Sequence, residues 1–305
     1  MGHILGHILE VLYMLFISQL INGLQLGSIY ALVALGYSMV YGIIKLLNFA
    51  HGDIIMAGGY MALFALTFGM NPVLAALATI AGCTLLAVVI EKLAYTPLRN
   101  APRLSLLITA IGVSILLQNL AQYYFTASGR SFPADRLLPM GSIPIGAVNV
   151  SYSSFVTIVV AIVAMAGLNI LVRKSKLGKA MRAVSEDAGA AQLMGVNVNH
   201  IITFTFAVGA ALAGVGALMY SVRYPLISPT IGAMLGLKAF VAAVLGGIGS
   251  IPGAMLGGFA IGLLEVLVTA IGLSGWVDGV VFLILIIMLM VRPTGLMGRK
   301  IIEKV

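Results

Sequence analysis

Long apolar segments separated by short polar stretches dominate this chain. Ten segments have the length and apolarity of membrane helices, and their approximate bounds are 8–24, 25–44, 54–69, 72–91, 104–125, 152–172, 200–220, 237–249, 252–272 and 276–291. The first two are nearly continuous and can form one bent span, while the eighth is short enough to be re-entrant. Eight full crossings are therefore an open alternative. The pattern predicts an all-α membrane bundle of about eight to ten segments, with a candidate re-entrant segment near 237–253.

The composition excludes a soluble protein. Of the 305 residues, 61% are hydrophobic and 9% are charged, whereas soluble domains carry about 25% charged residues. The short alternating segments that are typical of a membrane barrel are absent. We therefore expect a multi-pass integral membrane protein in which residues 1–305 form a single transmembrane domain.

The basic residues indicate which loops face the cytoplasm, because cytoplasmic loops are enriched in Lys and Arg. If both chain ends are cytoplasmic, the outer side holds Arg130, Arg136, Arg223 and Lys238. The inner side then holds Lys45, Lys92, Arg99, Arg103, Arg173, Lys174, Lys176, Lys179, Arg182, Arg292, Arg299, Lys300 and Lys304. Merging the first two segments would move the start of the chain outside. The outer loop, 126–151, contains a weakly alternating stretch around Gly146 that predicts a small hairpin.

No motif for catalysis, a nucleotide motor or metal binding stands out. The Gly178-Lys179 pair is followed by Ala180, whereas the phosphate-binding loop requires Ser or Thr at that position. The lone Cys83 excludes a disulfide or a cysteine-built metal site within the chain. The net charge of +8 comes from basic residues near segment ends, where topology explains them, so we predict no nucleic-acid binding. We expect a protein that is not an enzyme and has no catalytic residue, no metal site and no cofactor of its own.

Polar residues inside or between apolar segments, and glycines that break a segment, are candidate pathway or gating residues. These candidates are Asn48, His51 and Asp53 in the connection between the second and third segments, Gln118 and Glu265 inside segments, and Gly247 and Gly249. Asn48, His51 and Asp53 can equally cap the third segment. Glu265 is the one acid in the middle of a segment, and it suits either a proton-coupled site or a protonated packing group. The Gly- and Pro-rich stretch 245–253 predicts a break in the helix.

The internal loop 173–199 is the most charged part of the chain, with five of the 17 basic residues. Met181, Val184, Ala188 and Ala191 recur at helical spacing and predict one short amphipathic helix. Gly195 is its expected end. This helix suits either a solvated loop at the membrane surface or a contact with a cytoplasmic partner.

Several motifs in one order resemble a known permease family over nearly the whole chain. They begin with Asn22-Gly23, Gly27 to Leu32, and Asn48-Phe49-Ala50-His51-Gly52-Asp53. Others are Ser175 to Gly178, Arg182-Ala183, Glu186-Asp187, Met194 to Asn197, Lys238 to Phe240, and Gly246 to Ala254. The chain resembles the H-type (LivH) permeases of ATP-binding-cassette importers for branched-chain amino acids.

The resemblance implies a division of labour between subunits. A second, M-type permease completes the pathway, two cytoplasmic ATPases bind ATP and Mg²⁺, and a periplasmic or lipid-tethered binding protein delivers leucine, isoleucine or valine. It also implies the inner membrane of a prokaryote. The family's coupling signature, Glu-Ala-Ala followed three residues later by Gly, matches residues 189–195 except that Gly189 replaces the Glu. The implied ATPase-coupling residues are Arg182, Ser185, Glu186, Asp187, Ala190, Ala191 and Gly195.

Two other functions remain open from the sequence. A permease of the same family for urea or short amides would use the same subunits. An ion-coupled secondary transporter would instead use Glu265 and the broken stretch 245–253.

Overall fold

The computed structural model describes residues 2–45, 48–99, 101–145 and 148–298. In chain order its α-helices are α1 (Gly2–Ile44), α2 (His51–Thr67), α3 (Pro72–Ile90), α4 (Arg103–Phe125), α5 (Ala134–Leu137), α6 (Tyr152–Lys174), α7 (Lys176–Glu186), α8 (Ala188–Leu193), α9 (Val198–Arg223), α10 (Ile231–Gly246), α11 (Ile251–Ala270) and α12 (Val277–Val291). A π-helical turn (Glu91–Tyr95) and two 3₁₀ turns (Thr96–Leu98, Ser274–Trp276) extend α3 and precede α12. Within these residues, seven helices are long and apolar enough to cross a membrane, namely α1, α3, α4, α6, α9, α11 and α12.

The first two predicted segments form one helix, so of the two readings of this stretch the single span is confirmed. Gln25, at the junction of the two predicted segments, lies inside α1 and is fully buried. The Ser154 hydroxyl donates a hydrogen bond to its Oε1 at 2.8 Å. A side chain of the neighbouring helix α6 thus satisfies the oxygen of this amide inside the bundle. With α2 and α10 included, the chain has nine apolar helical segments in the described residues.

Two triplets of helices, α1–α3 and α9–α11, make the same set of contacts. Helix α11 packs on α1 and α10, while α3 packs on α9 and α2. Helices α1 and α9 run antiparallel, with Gly36 beside Gly209 and Val33 beside Gly216. A Cβ added at Gly262 would collide with the Gly27 nitrogen, so α11 and α1 touch along their backbones. Close packing of small residues is what joins helices in lipid.

Helices α2 and α10 both begin inside the bundle. His51, the first residue of α2, lies against Gly36, which is eight residues, or about 12 Å of helix, before the end of α1. Gly52 lies against Gly232 at the start of α10. The segment that leads from α9 to α10 is non-helical at Leu226–Ile227 (β4), and Ile227 is fully buried. The α10 crossing therefore combines a non-helical stretch with a short helix, and pairing with β1 and the Phe132 amide supplies partners to this stretch.

The segment expected near 237–253 is a helical hairpin rather than a re-entrant loop. Helix α10 already begins at Ile231, runs 16 residues and turns at Gly247 and Gly249. Both glycines have positive φ angles of 105° and 89°, a conformation that favours glycine. The Ser250 hydroxyl accepts a hydrogen bond from the Gly253 amide and caps α11. The predicted break is confirmed. Helix α10 runs from the side of the bundle near β4 to the turn at Gly247 and Gly249, and α11 packs antiparallel against it.

Short strands cover the end of the bundle opposite this turn. Strand β2 (Ser142–Ile145) pairs antiparallel with β3 (Val148–Ser151), and Ser142 lies opposite Ser151. This is the hairpin that the alternating stretch predicted, although its turn at 146–147 lies outside the described residues. Strand β1 (Arg130–Ser131) pairs with β4 and ties the loop 126–151 to the start of the α10 crossing.

Candidate functional site

The loop 173–199 folds as two short helices, not the single helix that was expected. Ser175 caps α7, since its hydroxyl accepts a hydrogen bond from the Gly178 amide at 2.8 Å. Met181 and Val184 are buried as predicted. At Asp187 the backbone is extended, and its carboxylate accepts from the Ala190 amide at 2.9 Å to cap α8. A side chain that can cap a helix competes with helix continuation. Consequently Ala188 is exposed rather than on the buried face.

The tip of this loop exposes large apolar side chains. Leu193 and Met194 are 90% and 84% exposed. Gly195, with a φ of +84°, ends α8 as predicted. Sequence reasoning overlooked Leu193 and Met194, although two large apolar residues directly before a terminating glycine in a polar loop were a usable signal. Such side chains are unusual on a solvated loop and typical of a contact surface.

The other residues predicted for this loop differ in their contacts. The Arg182 guanidinium donates to the Val172 carbonyl at the end of α6, and the Ser185 hydroxyl donates to the Arg182 carbonyl at 2.8 Å. Glu186 and Ala190 are exposed, whereas Ala191 is buried against the bundle. The loop therefore has one anchored face and one open face.

A cavity of about 870 Å³ lies between this loop and the bundle. Its lining comes from the end of α1, the segment between α3 and α4, the start of α4, the α7–α8 loop and the start of α9. These residues are Ile43, Ile44, Tyr95, Arg99, Ala101, Leu106, Val184, Ala188, Gln192, Gly195, Val196, Asn197, Val198, Asn199 and Ile202. The cavity therefore lies between the loop 173–199 and the helix bundle. If the loop transmits force to the bundle, these two parts must move together across it.

A buried carboxylate that sequence reasoning missed supports the wall of this cavity. Glu91 is fully buried at the end of α3 and forms an ion pair with Arg99. Thr96 and Thr203 donate hydrogen bonds to its two oxygens at 2.8 Å each. Arg99 also donates to the Asn199 side-chain oxygen. This network joins the end of α3 to the start of α9. In the sequence Glu91 is simply the last residue of the predicted segment 72–91, and nothing there indicates its partners.

The residues Asn48, His51 and Asp53 do not cap α2, contrary to one of the two expectations. The cap position is Ala50, which has no side-chain hydrogen bond to offer. Asn48 instead accepts from the Tyr95 hydroxyl at 2.7 Å. His51 is buried and packs edge-on against Tyr37, with ring centroids 4.9 Å apart.

Asp53 and Gln118, two of the predicted pathway residues, are brought together. The fully buried Asp53 carboxylate accepts hydrogen bonds from Gln118 Nε2 at 3.0 Å and from the Ser114 hydroxyl. Ser114 and Gln118 lie one turn apart on α4, and most of that helix is exposed within this chain. This polar clasp therefore holds α4 to the start of α2.

Glu265, the acid that the sequence places in the middle of a segment, has two partners. Lys238 Nζ lies 3.1 Å from its Oε1, and the Tyr30 hydroxyl donates to the same oxygen at 2.9 Å. Lys238 also lies 2.7 Å from Asp278 at the start of α12. Lys238 was counted on the outer side, at the start of the segment 237–249. It lies in the middle of α10, where its long side chain reaches the acids of the two neighbouring helices.

The predicted turn residues Gly247 and Gly249 lie at the other end of α10. The chain after α12 returns to this turn, where the Leu296 and Met297 amides donate to the Leu245 and Gly246 carbonyls at 2.9 Å each. The predicted residues thus do not form one site: they lie in the loop 173–199, at the start of α2 with its Asp53 clasp, in the Lys238 cluster and at the α10–α11 turn.

Comparisons with known proteins agree on one family. The profile of the family described as branched-chain amino acid transport system / permease component matches residues 19–290. The chain is 44% identical to the high-affinity branched-chain amino acid transport system permease protein BraD of Pseudomonas aeruginosa, over 95% of this chain and 98% of that protein. It is 41% identical to the corresponding protein LivH of Escherichia coli K12, over 96% of this chain and 99% of that protein.

The fold is similar to that of a solved transporter. A structure of an inward-facing ABC transporter of the metal-chelate type aligns with a TM-score of 0.52 over 91% of this chain and 87% of that chain. At 17% identity, this likeness concerns the fold alone. The family match and the full-length identity carry the assignment, and this multi-pass membrane protein belongs to the permease component family of the branched-chain amino acid transport systems.

Proposed function

We propose that this chain is the membrane-spanning permease subunit of an ATP-driven importer for leucine, isoleucine and valine. The observation that carries the proposal is 41–44% identity along nearly the full length to permeases named for branched-chain amino acid transport. The chain forms the pathway and performs no chemistry of its own. A second, M-type permease, two ATPase subunits that bind ATP and Mg²⁺, and a binding protein on the outer side complete the importer, which works in the inner membrane of a prokaryote.

The α7–α8 loop is the proposed contact with an ATPase subunit. Its open face carries Leu193 and Met194, and its anchored face rests on the bundle through Met181, Val184 and Ala191. A rigid, partly apolar knob can enter a groove of a partner and transmit its motion. Asp187 stabilises this knob by capping α8. Arg182 bonds α7 to the end of α6, and Ser185 bonds to the Arg182 carbonyl within α7.

The orientation follows from charge and from the helix count. With the α7–α8 loop in the cytoplasm, the C-terminal end is cytoplasmic as well, and the excess of Lys and Arg lies inside. Because α1 is a single helix, the nine segments are odd in number, so the chain begins on the outer side. This differs from the expectation of two cytoplasmic ends, which depended on separate first and second segments.

The proposed pathway runs along the exposed side of α4. This helix presents small and polar residues among aliphatic ones, and the Asp53 clasp holds it at mid-length. Movement of α4 relative to the α2 crossing would open or close the path. A largely apolar path with few charges suits aliphatic amino acids.

Uptake by the reconstituted complex tests the function. The permeases and ATPases are placed in proteoliposomes with MgATP inside, and the binding protein with radiolabelled leucine outside. We expect uptake that requires ATP and the binding protein and that exceeds uptake of urea or acetamide. Leucine uptake without the ATPase subunits, or uptake driven by an ion gradient alone, would contradict the proposal. The pairing of Glu265 with Lys238 disfavours such ion coupling, because the carboxylate already has a cation.

A second experiment tests the knob. Replacing Leu193 and Met194 with Ser should leave membrane insertion unchanged and weaken co-purification of the ATPase subunits. Bulky residues at Ala190 and Ala191 should have the same effect. The matched control is a double replacement of Leu283 and Ile286 with Ala. These two side chains are also exposed within the chain, but they lie on α12, away from the knob. Ala is used there because it is as small as Ser and remains apolar. Equal co-purification of all variants would contradict the knob.

A further inference from the structure

The cavity beneath the α7–α8 loop has two chemically different sets of lining residues, named here the aliphatic wall and the polar wall. Ile43, Ile44, Leu106 and Ile202 supply the aliphatic wall. Arg99, Gln192, Asn197 and Asn199 bring a guanidinium and three amides to the cavity. Its volume of about 870 Å³ falls in the range of small-molecule sites, roughly 300–1,000 Å³. Such a cavity suits an amphipathic small molecule better than a purely apolar one.

The polar wall is built to donate hydrogen bonds. The Asn197 side-chain oxygen accepts from the His200 amide, and the Asn199 side-chain oxygen accepts from Arg99. With their oxygens engaged, the two amides offer NH₂ groups to a ligand. Arg99 donates to Glu91 and Asn199 and, with five N–H groups, retains further donors. The wall therefore favours an acceptor such as a carboxylate.

The charge of this wall limits the ligand further. Buried Glu91 lies within ion-pair distance of both Arg99 and Lys92, so these three groups together carry one net positive charge. A multiply charged phosphate would need several unpaired cations, whereas a single carboxylate needs one directed donor cluster. An amino acid with an aliphatic side chain satisfies both walls at once, and it is the product that the proposed importer releases on this side.

Resting on the proposed function, we propose that this cavity is a product-sensing site. A branched-chain amino acid from the cytoplasm binds with its carboxylate toward Arg99 and the amides and with its side chain toward the aliphatic wall. The ligand contacts the loop through Gln192 and the bundle through Ile202, so it favours the arrangement in which both walls are close. Import slows because the loop is held. A ligand that distinguishes two states typically changes an equilibrium by about 5- to 150-fold.

Uptake into product-loaded vesicles tests the site. Proteoliposomes of the complete complex receive MgATP inside, with or without millimolar L-leucine, and the initial uptake of radiolabelled isoleucine is measured with the binding protein outside. We expect at least about a fivefold fall with leucine inside and little effect of L-leucinamide, which lacks the carboxylate. Equal uptake with and without internal leucine would overturn the inference. Failure of the proposed function would appear separately, as absent uptake into vesicles without leucine.

A pair of matched variants places the effect in the cavity. Ala101→Phe adds a ring at the cavity lining, and Ala127→Phe adds the same ring to an exposed turn at the other end of the bundle. The ratio of uptake with and without internal leucine should approach one for A101F and stay low for A127F. Unchanged inhibition in A101F would overturn the placement. If A101F does not assemble, Gln192→Leu takes its place. Two other results would overturn the proposed site. One is inhibition by leucinamide equal to that by leucine, and the other is inhibition that depends only on anionic lipid in the vesicles.

Discussion

The two short crossing helices, α2 and α10, each contact an outlying helix through one polar side chain, but the chemistry of the two contacts differs. Asp53 of α2 bonds to α4, and Lys238 of α10 bonds to α12. The Asp53 clasp is a carboxylate that accepts from two neutral groups and is fully buried. In the Lys238 cluster, named here the Lys238 clasp, Lys238 forms an ion pair with Asp278 of α12, and the Asp278 side chain is 49% exposed.

The difference teaches where each clasp derives its strength. Buried polar groups depend on their partners because no water can replace them. Asp278 can exchange Lys238 for water, whereas Glu265 and Asp53 cannot. We therefore infer that α12 is held loosely by charge, that α4 is held firmly by hydrogen bonds, and that the Lys238–Glu265 pair is mainly a bond between α10 and α11.

The largest effect is expected from Lys238→Met. This change leaves Glu265 buried without a cation, and removing one partner of a buried ion pair costs about 3–5 kcal/mol of unfolding free energy. Thermal unfolding of the detergent-purified complex measures the loss. The double variant with Glu265→Gln should recover most of it, because Tyr30 can still donate to the amide oxygen. No recovery would show that the pair is not the origin of the loss.

Asp53→Ala should have the next largest effect. It removes the acceptor shared by Ser114 and Gln118 and leaves a void at the start of α2, with an expected cost of about 1–3 kcal/mol. Leucine uptake should fall together with the unfolding temperature, because α4 loses its attachment. Normal uptake with normal stability would contradict the clasp.

Gln118→Leu should have a smaller and more local effect. It removes one donor from Asp53 and leaves Ser114 in place, with an expected cost of about 0.5–1.5 kcal/mol. Asn119→Leu is the matched control, since Asn119 is exposed and donates only to the Ile115 carbonyl of its own helix. Uptake should fall in the first variant and not in the second. Equal loss in both would point to the helix surface rather than the clasp.

Asp278→Asn should have the smallest effect of the four. Because its carboxylate is half exposed, the ion pair with Lys238 is expected to contribute about 0.2–1 kcal/mol and to weaken as salt increases. Unfolding temperatures at low and high salt measure this contribution. A loss as large as that of Lys238→Met would show that the two clasps do not differ as proposed.

The pattern of apolar and polar residues predicted much of the architecture. It located the helices, the hairpin 142–151, the break at Gly247 and Gly249, and the ends of the α7–α8 loop, because each depends on a local run of residues. Its errors arose where a side chain that suggested a local role has its partners on a distant helix. Asp53 suggested a cap for its own helix, but its carboxylate accepts hydrogen bonds from Ser114 and Gln118 of α4.

The candidate sites were predicted as positions rather than as arrangements. The motifs singled out Asp53, Gln118 and Glu265 individually, while Glu91 and the exposed pair Leu193–Met194 were overlooked. Asp53 and Gln118 became meaningful only together, and Glu265 changed from a candidate proton site into half of an ion pair. The single helix expected in the charged loop became two helices, because Asp187 caps the start of α8.

The sequence by itself determined the class of the protein, the placement of its helices and the position of its charged loop, since these follow from transfer of side chains between water and lipid. Only the tertiary structure decided which polar side chains meet. Tyr30 and Glu265 lie 235 positions apart, and Glu91 and Thr203 lie 112 apart. In a chain that is apolar on nearly every helix face, hydrophobic periodicity carries little information about partners. Backbone contact at glycines sets the helix pairs, and those pairs then determine which buried groups can satisfy one another.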